Sequence, residues 1–228
     1  MTTGLPHAGA FHGRRKGHRL RDRQAALMAD VLPRLRPPPA GAVAPRTLFR
    51  RPIGEVWLEI GFGGGEHLVA QMGRHRDVGF IGCEPFVNGV AKLLANGEAD
   101  LDRLIIHDGD ATELLPRLPA ASIDRAFILY PDPWPKRRQR KRRLVSPATL
   151  ALLARVLKPG ATLRFATDID DYAAWTLARA AASPDFDWPA ASATDWTRAW
   201  PDWPGTRYEA KAFREGRVPS YLTFVRTG

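Results

Sequence analysis

The segment Tyr130-Pro131-Asp132-Pro133-Trp134-Pro135 presents one carboxylate between alternating prolines and runs directly into Lys136-Arg137-Arg138-Gln139-Arg140-Lys141-Arg142-Arg143. Prolines cannot donate to a strand ladder and hold the chain in extended or turn geometry. The apolar run 126–129 before them therefore reads as a buried strand that stops at the aspartate. Seven positive charges in eight residues exceed what an ordinary solvated face needs and suit a polyanion.

A second group of chemically capable residues lies upstream. Gly61-Phe62-Gly63-Gly64-Gly65 follows a short apolar run and precedes a helical period. It departs from the dinucleotide fingerprint, because Glu66 stands at the last glycine position, and it lacks the Lys-Ser/Thr of a phosphate loop. A pyrophosphate there would face Glu59 and Glu66, so a ligand with a cationic or neutral body fits better. Glu84 ends the next apolar run and can bridge two ribose hydroxyls, and Asp108-Gly109-Asp110 ends the third and can hold an adenine amino group. Glu59, Gly61, Gly63, Gly65, Glu84 and Asp110 together resemble the S-adenosylmethionine pocket of class I methyltransferases.

The elements needed to position these groups are visible in the chain. Apolar runs at 56–60, 79–84, 104–107, 123–130 and 161–166 alternate with helical periods at 66–72, 87–95 and 148–157, and a further helix follows 167–172. This pattern predicts an α/β, doubly wound, mostly parallel sheet with helices on both faces, whose ligands bind beyond the carboxyl ends of the strands. Residues 209–213 and 221–225 alternate like antiparallel strands and predict an edge hairpin, making seven strands in all. Residues 1–35 read as a basic arm, expected to order against a partner, that ends in a short helix over 24–35. Residues 36–54 read as a Pro-rich linker and 55–228 as the main domain. The Trp- and Pro-rich stretch 186–204 reads as a loop-like insertion that fits either a wall of an RNA site or simple packing.

Composition narrows the partners. A 228-residue chain with net charge +10 points to an acidic partner, most often nucleic acid. The lone Cys83 excludes a disulfide framework and suits a reducing cytosol. No apolar run is long enough to span a membrane, and the basic arm lacks the Ser-rich amphipathic pattern of a transit peptide. The six histidines show no metal-ligand spacing and no obvious acidic partner, so no metal is expected.

Taken with Asp110-Ala111-Thr112-Glu113-Leu114-Leu115, Ala166-Thr167-Asp168 and Thr206-Arg207-Tyr208-Glu209, these motifs resemble bacterial tRNA (guanine-N7)-methyltransferases. The resemblance runs in order from Glu55 to the C-terminus. It implies a Rossmann-like class I methyltransferase acting in the cytoplasm as a monomer or homodimer. The cofactor would be S-adenosylmethionine and the substrate a guanine in the variable loop of tRNA. It further implies that Glu59, Glu84, Asp110 and Asp132 contact the methyl donor or its neighbourhood and that Asp132 is catalytic. Lys136, Arg137, Arg138, Arg140, Lys141, Arg142, Arg143, Asp168, Thr206, Arg207, Tyr208 and Glu209 would contact tRNA. Pro135 stands where the family often has His, and Arg207-Tyr208 where it has Lys-Phe. Trp134 fits either a base-stacking wall or a packing role. Guanine N7 has an in-plane lone pair and no proton, so the reaction asks for alignment more than for a base. Asp132 is therefore expected to accept hydrogen bonds from N1 and N2 of the guanine. Two other classes remain open from the residues alone: a methyltransferase for another RNA or DNA base or a small molecule, and a non-catalytic RNA-binding module.

Overall fold

Seven strands form one sheet in the computed structural model, which describes residues 12–96 and 98–228: β1 (Glu55–Ile60), β2 (Val78–Cys83), β3 (Leu104–His107), β4 (Ile123–Leu129), β5 (Leu157–Thr167), β6 (Phe186–Asp187) and β7 (Ser220–Arg226). Their spatial order is β3-β2-β1-β4-β5-β7-β6, parallel from β3 to β5 and antiparallel at β7 and β6. Strand order reverses between β1 and β4. That switch opens a crevice outside their carboxyl ends, where the glycine loop leaves β1 and Asp132 follows β4.

Side-chain alternation decides the layers. Val56, Leu58 and Ile60 enter one core cluster and Trp57 the other. On the Trp57 face lie α1 (Asp22–Asp30), α2 (Leu32–Leu35), α4 (Glu66–Arg74) and α5 (Val87–Asn96). On the opposite face lie α3 (Pro45–Leu48), α6 (Ala111–Leu114), α7 (Pro147–Val156) and α8 (Asp170–Ala181). The 36–54 stretch contributes buried Val43 and Phe49 to that second layer. The two remaining helices, α9 (Thr194–Thr197) and α10 (Arg207–Arg214), flank the antiparallel end. Among the described residues no helix is long and apolar enough to cross a membrane.

Three sequence expectations change. Residues 24–35 form two helices, because Pro33 lacks an N–H and its ring opposes the preceding turn. Residues 209–213 are helical, so the predicted hairpin partner of β7 is α10; β7 instead pairs antiparallel with β5 on one side and with Phe186–Asp187 on the other. Thr206 Oγ1 accepts the Glu209 N–H at 3.2 Å, and Gly216 ends the turn at φ +71°, so local capping overrides the period-two alternation. Residues 186–204, expected as a loop, therefore hold an edge strand and α9. The first eleven residues of the expected arm lie outside the described residues.

One buried cation closes α4 against the sheet. Arg103 is 1% exposed and donates to the carbonyls of Met72, His75 and Val78, each at 2.7 Å. These include carbonyls at the helix end, which have no partner within the helix. Arg103→Met leaves them desolvated and is expected to cost about 2–4 kcal/mol. Urea unfolding checks this as a lower midpoint with an unchanged slope.

Candidate active site

The chain leaves β1 through three glycines with positive φ: Gly61 at +77°, Gly63 at +55° and Gly65 at +76°. Only glycine adopts this repeatedly without a Cβ clash, so the loop can fold tightly back over the sheet. Glu84, just beyond β2, locks it. One carboxylate oxygen accepts the Gly63 N–H at 2.7 Å and the other the Phe86 N–H at 2.9 Å. Burial pushes the Glu84 carboxyl up, the two N–H groups pull it down, and nearby Asp132 pushes it up again. Each oxygen retains acceptor capacity for a vicinal diol. Asp110, beyond β3, caps α6 by accepting the Thr112 N–H at 2.9 Å.

These groups share a cavity of about 810 Å3 with Pro131, Asp132, Trp134 and Tyr208. Its size suits a cofactor together with a reacting group. The residues fit S-adenosylmethionine: Glu84, Asp110 and Asp132 line the cleft beside the glycine loop, Glu84 is set for ribose, and the loop itself carries no cation to demand a phosphate. Cys83 also lines it, but burial holds the thiol protonated. Glu59 is not brought to the cavity. Alternation turns it to the face opposite Ile60, where Glu59 Oε2 meets His67 Nδ1 at 2.7 Å. That pair corrects the expectation that no histidine has an acidic partner. Asp108 is likewise engaged elsewhere, by Arg36 at 2.8 Å.

On the other wall the backbone is strained. Tyr130 (φ +49°) and Trp134 (φ +41°) are non-glycine residues in left-handed geometry on either side of Pro131-Asp132-Pro133. Asp132 carries no protein hydrogen bond among the described residues, and burial raises its carboxyl above the usual aspartate range. Arg143 holds the loop in place. Its Nε donates to the Pro133 carbonyl at 2.8 Å, its Nη2 pairs with Asp171, and its guanidinium lies over the rings of Tyr172 and Trp175. The side chain is 0% exposed. This corrects its assignment to phosphate contact, since a fully covered guanidinium cannot meet a polyanion. Arg140 is also anchored to Asp171, at 2.8 Å. Lys136, Arg137, Arg138, Lys141 and Arg142 remain outward, with Arg142 over the Trp134 ring at 5.0 Å.

The C-terminal residues divide in the same way. Arg207 and Tyr208 face the glycine loop, and Tyr208 stacks on Tyr130 with ring centres 6.3 Å apart. Thr206 caps α10, whereas buried Glu209 accepts from Trp203 Nε1 at 2.8 Å and from the Tyr221 hydroxyl. Asp168 is oriented by Arg217 at 2.7 Å.

Several participants carried no sequence signal. His12 and Arg14 line the cavity mouth, and the segment between them and α1 is pinned by hydrogen bonds from Val87 N–H to Arg15 O and from Gly17 N–H to Asn88 Oδ1. Gly89 packs against the glycine loop so closely that a Cβ there would overlap the Gly63 carbonyl and crowd the Glu84 side chain. The Thr-x-x-Glu spacing at 206–209 was the one legible sign that α10 is a helix. Gly89→Ala is expected to weaken S-adenosylmethionine binding at least tenfold while far-ultraviolet circular dichroism stays unchanged. Isothermal calorimetry checks the affinity.

The family model Methyltransf_4, described as "Putative methyltransferase", matches residues 54–220. The chain is 55% identical to the tRNA (guanine-N(7)-)-methyltransferase of Nitrobacter hamburgensis over 96% of its own length and 87% of the relative's. It is 55% identical to that of Chelativorans sp. over 95% of each chain. Among solved structures, the 16S rRNA methyltransferase KamB superposes with TM-score 0.51 at 16% identity, covering 81% of this chain and 91% of that one, a likeness of fold alone. With a family model matching residues 54–220 and relatives 55% identical over nearly the whole chain, this cleft and the cationic segment beside it belong to a member of the tRNA (guanine-N7)-methyltransferase family.

Proposed function

We propose that this protein transfers the methyl group of S-adenosylmethionine to N7 of a guanine in the variable loop of tRNA, in the cytoplasm where tRNA is used. The observation that carries the reading is Asp132: a carboxylate without a protein donor among the described residues, on the wall of the cavity, at the head of a cationic segment. When bound, the cofactor supplies a sulfonium methyl; its S–C bond breaks with the pair left on sulfur as the N7 lone pair forms the new N–C bond. No proton leaves N7, so the protein's task is placement.

Glu84 holds the ribose hydroxyls, and Asp110 bounds the adenine end. Asp132 accepts from N1–H and N2–H of the extruded guanine. Those bonds strengthen as the ring becomes cationic, so they favour the transition state over the ground state. Arg143 acts on Asp132 through the Pro133 carbonyl and keeps the strained loop in its reactive shape. Lys136, Arg137, Arg138, Lys141 and Arg142 take phosphates, with Arg207 and Tyr208 closing the pocket from the C-terminal side.

The experiment is transfer of tritiated methyl to unmodified tRNA, DNA and small acceptors, followed by nucleoside analysis. 7-Methylguanosine formed only with tRNA supports the reading; labelling of small acceptors alone, or RNA retention without donor affinity, overturns it. Asp132→Asn is expected to lower kcat/KM about 100- to 1000-fold with little change in donor affinity. The raised carboxyl fixes the sign of the pH effects. Activity falls on the acid side at a higher pH than an ordinary aspartate would give, and Asn removes that limb. Arg138→Gln is expected to flatten the salt dependence of tRNA binding by about 0.7–0.9 log units per log unit of salt, one phosphate contact. Arg143→Gln should instead lower kcat with the slope unchanged.

A further inference from the structure

Helix α10 carries an exposed aromatic that the site described above does not use. Phe213 is 58% exposed and Val218, just beyond the helix, 68%. A single exposed aromatic is ordinary on a protein surface, so what matters for Phe213 is the arrangement of the helix around it. The helix also has an ordered arrangement around its axis. Arg207, Lys211 and Arg214 recur at i, i+4 and i+7 and form one exposed stripe along its crown. Glu209 and Ala212 form the buried side. Tyr208 lies on one flank of the stripe and lines the main cavity, whereas Phe213, about 140° round the helix from it, lies on the other flank.

Beside Phe213 is a shallow depression of about 540 Å3 lined by Pro204, Gly205, Ala210 and Phe213 together with the polar Glu66, Thr206, Arg207 and Glu209. Gly205 shapes it: at φ +76° it turns the chain into the Thr206 cap, and a Cβ there would crowd the Glu209 carboxylate. The depression is large enough for a nucleoside. A cationic crown with an aromatic on each flank matches the way single-stranded RNA is held, its phosphates on cations and its splayed bases on π faces.

We propose that Phe213 is a stacking platform for a second, unpaired nucleotide of the same tRNA, whose phosphate crosses the Lys211–Arg214 stripe while the target guanine enters the main cavity past Tyr208. This rests on the tRNA methyltransferase reading and deepens it. The platform positions the substrate through stacking, which releases no counterions, so it leaves a signature distinct from that of the cations.

The test compares Phe213→Ala, Phe213→Trp and Arg214→Gln with wild-type enzyme on unmodified tRNA, reading KM and kcat, and tRNA affinity across a salt series. Phe213→Ala is expected to raise the tRNA KM about tenfold, with kcat and the S-adenosylmethionine KM within about twofold and an unchanged salt slope. Phe213→Trp should restore the KM. Arg214→Gln should flatten the slope. An unchanged tRNA KM in Phe213→Ala overturns the proposal. So does a change in the sedimentation mass of the enzyme without RNA, which would assign the patch to a second copy of the chain. Absence of methyl transfer to tRNA by the wild-type enzyme would instead defeat the parent reading, so the two failures are distinguishable.

Discussion

The guanidinium of Arg143 is buried between the acceptor loop and the start of α8, and much of the site is built around that contact. It neutralises Asp171, lies over two aromatic rings and donates to the carbonyl of Pro133, one residue past Asp132. Left-handed geometry at Tyr130 and Trp134 is costly, and such a backbone persists only when its surroundings over-determine it. Arginine suits this role because its planar fork serves carbonyl, carboxylate and ring faces at once. The same contact ties the root of the cationic segment to the sheet, so the outward lysines and arginines leave from a fixed point.

Three carboxylates near the carboxyl ends of neighbouring strands live in three environments, and the differences divide the labour. Glu84 has both oxygens fixed by backbone N–H groups and so presents a rigid pair of remaining acceptors. Glu59 is turned through the sheet to His67 and is structural in its contacts. Asp132 has no protein donor among the described residues and stands open to solvent at the cleft, which leaves its acceptors for a ligand.

A second chain of polar contacts joins α4 to α10. His67 bonds Glu59, Gln71 donates to the Asp202 carbonyl at 3.0 Å, and Trp203 next to it reaches Glu209 of α10 at 2.8 Å. Trp203 also packs against His67 and Tyr221, with ring centres at 5.3 and 5.8 Å. The stretch 186–204 thus connects the donor-loop helix α4 to the acceptor-side helix α10; Trp196, Trp200 and Trp203 pack against the core, whereas Trp188 is exposed.

The sequence by itself determined the local and periodic features. Glycines at 61, 63 and 65, the proline frame of Asp132, the five parallel strands and the density of positive charge are properties of adjacent residues. They were legible because conformational freedom and strand periodicity act over a few positions. What only the tertiary structure decided was which of the similar side chains face the cavity. Arg143 and Arg138 read alike in the chain, yet one is buried beneath Trp175 and the other is exposed. Glu59 and Glu84 both stand near the ends of strands, yet the pleat sends one away from the cavity, while the bonds from Gly63 and Phe86 hold the other in it. Glu209 alternates like a strand residue, yet the Thr206 cap and a buried partner in Trp203 make it part of a helix. Burial and ion pairing depend on residues tens of positions apart being brought together, and no local pattern records which partner arrives.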